Sequence, residues 1–160
     1  MIIGILKETQ EYESRVSVTP ETVKKIVKSE HSILIETGAG NKSFISDSEY
    51  EDAGATITQS LNDIYEKTDI IFKVSPPNSD ELDQLKNESI LISFFQIKDE
   101  INNISKYISK NLSLLSMSHI PRTTLAQNMD ALSSQSNIAG YKATIIGSDH
   151  ISKYMPLLMT

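Results

Sequence analysis

Short runs of consecutive apolar residues, separated by segments of helical periodicity, constrain this chain more than any other feature. The runs fall at residues 2–6, 32–36, 69–74, 90–96 and 112–116, with a minor one at 55–57. They are close to continuously apolar instead of alternating, the pattern of strands covered on both faces. Helical patterns lie between them, so strand and helix alternate along the chain. That order predicts an α/β fold, a doubly wound and mostly parallel sheet with helices on both faces. The run at 112–116 reads as a buried strand.

The helix boundaries carry their own chemistry. Thr19 suits an N-cap with Pro20 at the first helical position, where a missing amide proton costs nothing. Val23, Ile26 and Val27 form the apolar stripe of that helix. Ser46 and Glu49 make a capping box for a helix over 47–53, and Gly54 follows it as the residue that turns the chain out. A short helix is predicted at 61–66. An amphipathic helix at 99–109 presents Ile101, Ile104 and Ile108, together with Ile97, on one side. The turn at 37–41 contains Gly-x-Gly after a strand, but no third glycine follows and no helix begins there, so it reads as a tight turn.

The chain has 160 residues, 39% hydrophobic and 22% charged, which is a soluble globular composition of one-domain size. Net charge is −6, from 21 acidic against 15 basic residues. An acidic chain without basic clusters argues against nucleic acid and against anionic membranes. There is no cysteine, and the three histidines, His31, His119 and His150, are far apart in sequence, so no metal site is expected. No apolar run approaches the roughly 20 residues that cross a bilayer. The first residues do not read as a signal peptide, and the expected location is cytoplasmic.

The densest functional signal is HIPRTTLAQNMDALSSQSNIAGYKA, residues 119–143. Arg122, Gln127, Asp130, Ser133, Ser134, Gln135 and Asn137 crowd hydrogen-bonding groups into a stretch that also carries Leu132, Ile138 and Tyr141. Asp130 is a good N-cap for a helix from about Ala131, along which Ser134, Ile138, Tyr141 and Ile145 recur as one stripe. A further short helix is predicted within 148–160, with Ile151, Tyr154, Met155 and Leu158. On pattern alone two readings of 119–143 stand: a capped, packed helix with a small-residue face, or a strand-end loop that touches a ligand.

The segment 129–143, MDALSSQSNIAGYKA, closely resembles the ligand loop of the alpha subunit of proton-translocating NAD(P) transhydrogenases, a family shared with alanine dehydrogenases. That resemblance implies a mobile loop in which Arg122, Gln127 and Asp130 reach over the nicotinamide of NAD(H), with Ser133 as a further contact. It makes Gln127 and Asp130 the catalytic candidates, acting by positioning. One departure is Leu125, where the family usually carries a second arginine. Lys7, Glu8, Arg15 and Val18-Thr19-Pro20 are similar to the family's opening motif, KETxxxExRVxxTPE. In alanine dehydrogenases the arginine at this place binds the substrate carboxylate, which makes Arg15 a possible carboxylate ligand. The alternative, favoured for a transhydrogenase, is that Arg15 pairs with a nearby glutamate and shapes the loop.

The dehydrogenases place a catalytic lysine where this chain has Ser75, and a histidine at the end of the next strand, where 90–96 reads ILISFFQ. Without both, their acid–base chemistry at a carbonyl is not expected. The resemblance therefore implies the N-terminal part of a transhydrogenase alpha subunit, Rossmann-like or flavodoxin-like in fold. It implies a domain over 1–147 and the start of a connection over 148–160, ending before a second domain that binds the NAD(H) pyrophosphate. The expected partners are that domain, the membrane and NADP(H)-binding domains, and a second copy in a homodimer. The assembled enzyme is expected on the cytoplasmic side of the inner membrane, and this chain alone is expected to be inactive. Two alternatives remain: the substrate domain of an alanine- or saccharopine-type dehydrogenase, and a non-catalytic truncated domain.

Overall fold

The computed structural model describes residues 1–96 and 98–153. Its elements run β1 (Ile2–Ile5), α1 (Pro20–Lys28), β2 (Ser32–Glu36), α2 (Asp47–Asp52), β3 (Thr56–Thr58), α3 (Leu61–Lys67) and β4 (Ile70–Phe72). They continue with α4 (Ser79–Gln84), β5 (Ile90–Ser93), α5 (Ile104–Ser109), β6 (Ser113–Ser116) and α6 (Ala131–His150). The six strands form one sheet in the order β3-β2-β1-β4-β5-β6. Every pair is parallel. The chain winds outward through β2 and β3, then crosses back to β4 beside β1 and winds outward the other way. The carboxyl ends of β1 and β4 therefore flank the topological switch point, where ligands bind in open sheets of this kind.

Apolar residues of β1 explain its central place, because both faces of the strand must be covered. Ile3 and Ile5 join a core with Val23 of α1, Ile33 and Ile35 of β2, and Tyr50 of α2. On the other face Ile64 and Tyr65 of α3, Ile71, Leu82 of α4, Leu91 and Tyr107 of α5 form a second core. Gly4 lets α3 approach closely: a Cβ there would lie 2.8 Å from Ile64 Cγ2 and from Thr68 Cγ2. The capping chemistry is as expected, with Thr19 accepting the Thr22 amide and the Ser46–Glu49 box complete. Gly54 follows with a φ of +97°, which a side chain would resist.

Several expectations change. α4 is additional, started by a capping box in which Asn78 and Glu81 exchange bonds; the Ser75-Pro76-Pro77 break hides it, and Leu82 is its only buried residue. α5 is shorter than 99–109, turns occupying the first part. It buries Tyr107, whereas Ile101 and Ile108 are 68% and 73% exposed; Ile97 lies outside the described residues. β6 is an edge strand, not a buried one, with Leu115 53% exposed. Apolar composition cannot reveal that β6 pairs on one side alone among the described strands.

The chain divides into two compact units, Met1–His119 and Ile120–Thr160. Within the second, α6 runs through His150. None of its residues is buried within this chain. Ile138, Tyr141 and Ile145 are all exposed. Tyr154, Met155 and Leu158 of the expected tail helix lie outside the described residues.

Candidate functional site

The second unit assembles its polar residues around the start of α6. After Pro121 the chain forms a 3-10 turn, Thr124–Met129, whose Ala126 is buried. Gln127 projects from this turn and is exposed, and its carbonyl accepts the Asp130 amide at 3.4 Å. The Asp130 carboxylate accepts the Ser133 amide at 2.9 Å with one oxygen and the Ser133 hydroxyl at 2.6 Å with the other. These bonds with Ser133, aided by the positive charge of Arg122, hold the Asp130 carboxyl below its ordinary value and keep it ionised.

Asp130 and Ser133 are thus locked together, with Arg122 electrostatically coupled to them. Among the described residues no side-chain hydrogen bond holds Gln127 or Arg122. The loop therefore presents an amide, a guanidinium, a carboxylate and a hydroxyl. All four can hydrogen-bond a planar polar ligand, and none is a general acid or base near neutrality. Leu125 is exposed on the same turn.

Arg15 belongs to the first unit. Its Nε and one terminal nitrogen donate to the two oxygens of Glu13 at 2.8 and 2.7 Å. The guanidinium also lies 5.7 Å from the centre of the Phe94 ring. The side-chain bond with Glu13 raises the Arg15 pKa, and the same bond holds the Glu13 carboxyl low. Arg15 is thus paired with a glutamate two positions before it.

A second polar cluster, not expected from sequence, occupies the switch point. Glu8 is 3% exposed, and its carboxylate accepts the amides of Val74 at 2.6 Å and Ser75 at 3.2 Å. Burial is the largest influence on it and raises its pKa, against the opposing effects of those two bonds and of Lys73. Lys73, also buried, donates to both oxygens of Glu81 at 2.8 and 2.9 Å. A lysine inside the apolar run at 69–74 was the available signal, since a charge there needs a buried partner. Ser75 is buried, and Gln96 is exposed.

Among the described residues no group of three or more His, Cys, Asp or Glu could hold a metal ion. No described helix is long and apolar enough to cross a membrane.

Residues 4–139 match the family model described as alanine dehydrogenase/PNT, N-terminal domain. The chain is 40% identical over 145 residues to the NAD(P) transhydrogenase subunit alpha of Haemophilus influenzae, covering 91% of this chain and 28% of that one. A crystal structure of transhydrogenase from Sinorhizobium meliloti superimposes with a TM-score of 0.91 at 34% identity, covering 100% of this chain and 48% of the other. An L-alanine dehydrogenase structure is less similar, at a TM-score of 0.70 and 26% identity, covering 73% of this chain and 32% of that one. The chain spans less than half the length of each of these proteins.

Proposed function

Because this chain belongs to the alanine dehydrogenase/PNT N-terminal-domain family, we propose that it is the nicotinamide-orienting part of an NAD(P) transhydrogenase alpha subunit. The observation that carries this reading is the Arg122–Ser133 loop, where an ionised Asp130 is tied to Ser133 beside the exposed Gln127. The carboxamide of a nicotinamide has one acceptor and two donors, which a glutamine amide and a carboxylate complement. Gln127 and Asp130 would hold the carboxamide, Arg122 and Ser133 the neighbouring ribose and loop. NAD(H), when bound, supplies the hydride, with NADP(H) held on a partner domain.

The role of these residues is orientation. Fixing two reactants in register converts a bimolecular encounter into an effectively unimolecular one, without any proton donor from the protein. The Ser133 bonds fix the Asp130 carboxylate before a ligand arrives, so less ordering remains to be done on binding. In this reading 1–147 is the nicotinamide-facing domain and 148–160 begins the connection to a domain that holds the pyrophosphate. The assembly would include membrane and NADP(H)-binding domains and a homodimer partner, on the cytoplasmic side of the inner membrane, with proton translocation coupled to hydride transfer. The 160-residue chain alone is then inactive.

Gln127→Asn, placed in the full-length subunit, tests this. Shortening the side chain by one methylene keeps the amide and withdraws it by about 1.5 Å. Hydride transfer in stopped flow is expected to slow by about tenfold or more, with NADH affinity changed far less. Equal losses in both would remove the positioning role. An amino-acid dehydrogenase is the weaker reading, because Ser75 stands where its lysine is needed and the strand at 90–96 carries no histidine. Pyruvate- and ammonia-dependent NADH oxidation by the full-length subunit would restore it.

A further inference from the structure

The crevice between the carboxyl ends of β1 and β4 is where an open sheet of this order takes its ligands, and here the chain closes it with its own side chain. Glu8 leaves the end of β1 and grips both amides that follow β4, those of Val74 and Ser75. Burial outweighs the charges around it. Lys73 is the cation facing it from β4's end, and that ammonium is already held by both oxygens of Glu81 on α4. Glu81 in turn accepts the Asn78 amide at 2.8 Å, which fixes it as the capping partner of α4. The Lys73 ammonium thus bonds the partly exposed Glu81 and acts on the buried Glu8 only through its charge.

Other charged groups surround Glu8. Arg15, on the loop after β1, gives direct bonds to Glu13 and also feels the charge of Glu8, while Glu13 opposes ionisation of Glu8. Lys42, from the turn after β2, donates to the Glu8 and Glu13 carbonyls at 3.4 and 3.2 Å, on the backbone and not on the carboxylate. Tyr65 of α3 is pushed up to about 12, chiefly by burial and then by Glu81, and stays neutral.

We propose that Glu8 is a proton-operated latch across the β1–β4 crevice: ionised, it holds both amides and keeps the crevice shut; protonated, it releases Ser75 and lets the turn at 75–77 open. Ser75 is the one released because its bond is the longer, and a protonated carboxyl keeps one carbonyl oxygen to accept the Val74 amide. Burial, which favours the neutral acid, acts in the same direction. The latch does not depend on the nicotinamide reading, since all of its residues lie in the first unit.

Carbon-13 NMR of the Glu8 carboxyl, followed with the Val74 and Ser75 amide signals from pH 4 to 8, tests it on the intact chain. The Glu8 carboxyl is expected to titrate above its ordinary value of 4.5. The Ser75 amide should lose its hydrogen-bonded shift with the same midpoint, while Val74 keeps its own. In Glu81→Gln, where Lys73 is free to turn toward Glu8, that shared midpoint should move down. A Glu8 midpoint at or below 4.5, a Ser75 amide that does not follow it, or an unmoved midpoint in Glu81→Gln would overturn the latch.

Discussion

At the start of α6 the Asp130 carboxylate accepts both the amide and the hydroxyl of Ser133, so it serves as a helix cap before it serves any ligand. The two roles separate by substitution. Asp130→Asn keeps an oxygen that can cap, whereas Asp130→Ala leaves the first-turn amides without one. Helix content by circular dichroism should fall in the alanine variant and hold in the asparagine variant, while NADH-dependent activity of the full-length subunit falls in both. Activity that survives in Asp130→Asn would confine the residue to capping. Glu8 behaves in the opposite sense to Asp130. Its pKa is raised in the folded state, so its contribution to stability is fully present below the unfolded value and is lost as pH rises through the folded one. The stability of the wild-type chain relative to Glu8→Gln, measured by urea denaturation, should therefore decline as pH rises above 4.5. A relative stability that grows over that range contradicts the sign. Asp130 was legible in sequence because capping needs only near neighbours in the chain. The environment of Glu8 was not, because Val74 and Ser75 lie 66 and 67 residues away.

Among the elements, the pairing of β4 with α4 depends on one internal ion pair. The Lys73 side chain is 1% exposed and that of Glu81 12%. Removing one partner strands a buried charge, a change that costs about 3–5 kcal/mol, whereas replacing both by apolar residues of similar volume is close to neutral. Lys73→Ala should accordingly lower the denaturation midpoint strongly, and Lys73→Met with Glu81→Leu should recover most of the loss. A double variant as unstable as the single one would show that the pair does more than neutralise itself. Elements whose signals are local were legible: α1 and α2 begin at the residues their caps indicate. α5 was misread because its isoleucine spacing fits a helix face, yet the face that packs is set by Tyr107, which meets Phe95 edge-on at 6.1 Å. Periodicity shows that a helix has an apolar side, not which side meets the sheet.

In the whole molecule both hydrophobic cores draw on residues within Met1–His119. A chain ending at His119 should thus keep a cooperative thermal transition close to that of the full chain, followed by circular dichroism. Loss of that transition would mean that the first unit relies on residues beyond its own cores. By itself the sequence determined the α/β alternation, the parallel sheet with helices on both faces, most helix starts, and the polar loop from Arg122 to Ser133. Those features rest on the apolar content of short runs and on bonds between residues three or four positions apart. Only the tertiary structure decided that β1 and β4 flank the switch point, that Glu8 spans their ends, that Lys73 finds Glu81, and that β6 is an exposed edge. Each of these depends on which distant segments become neighbours, and burial of a charge or exposure of a leucine exists only once that neighbourhood is formed.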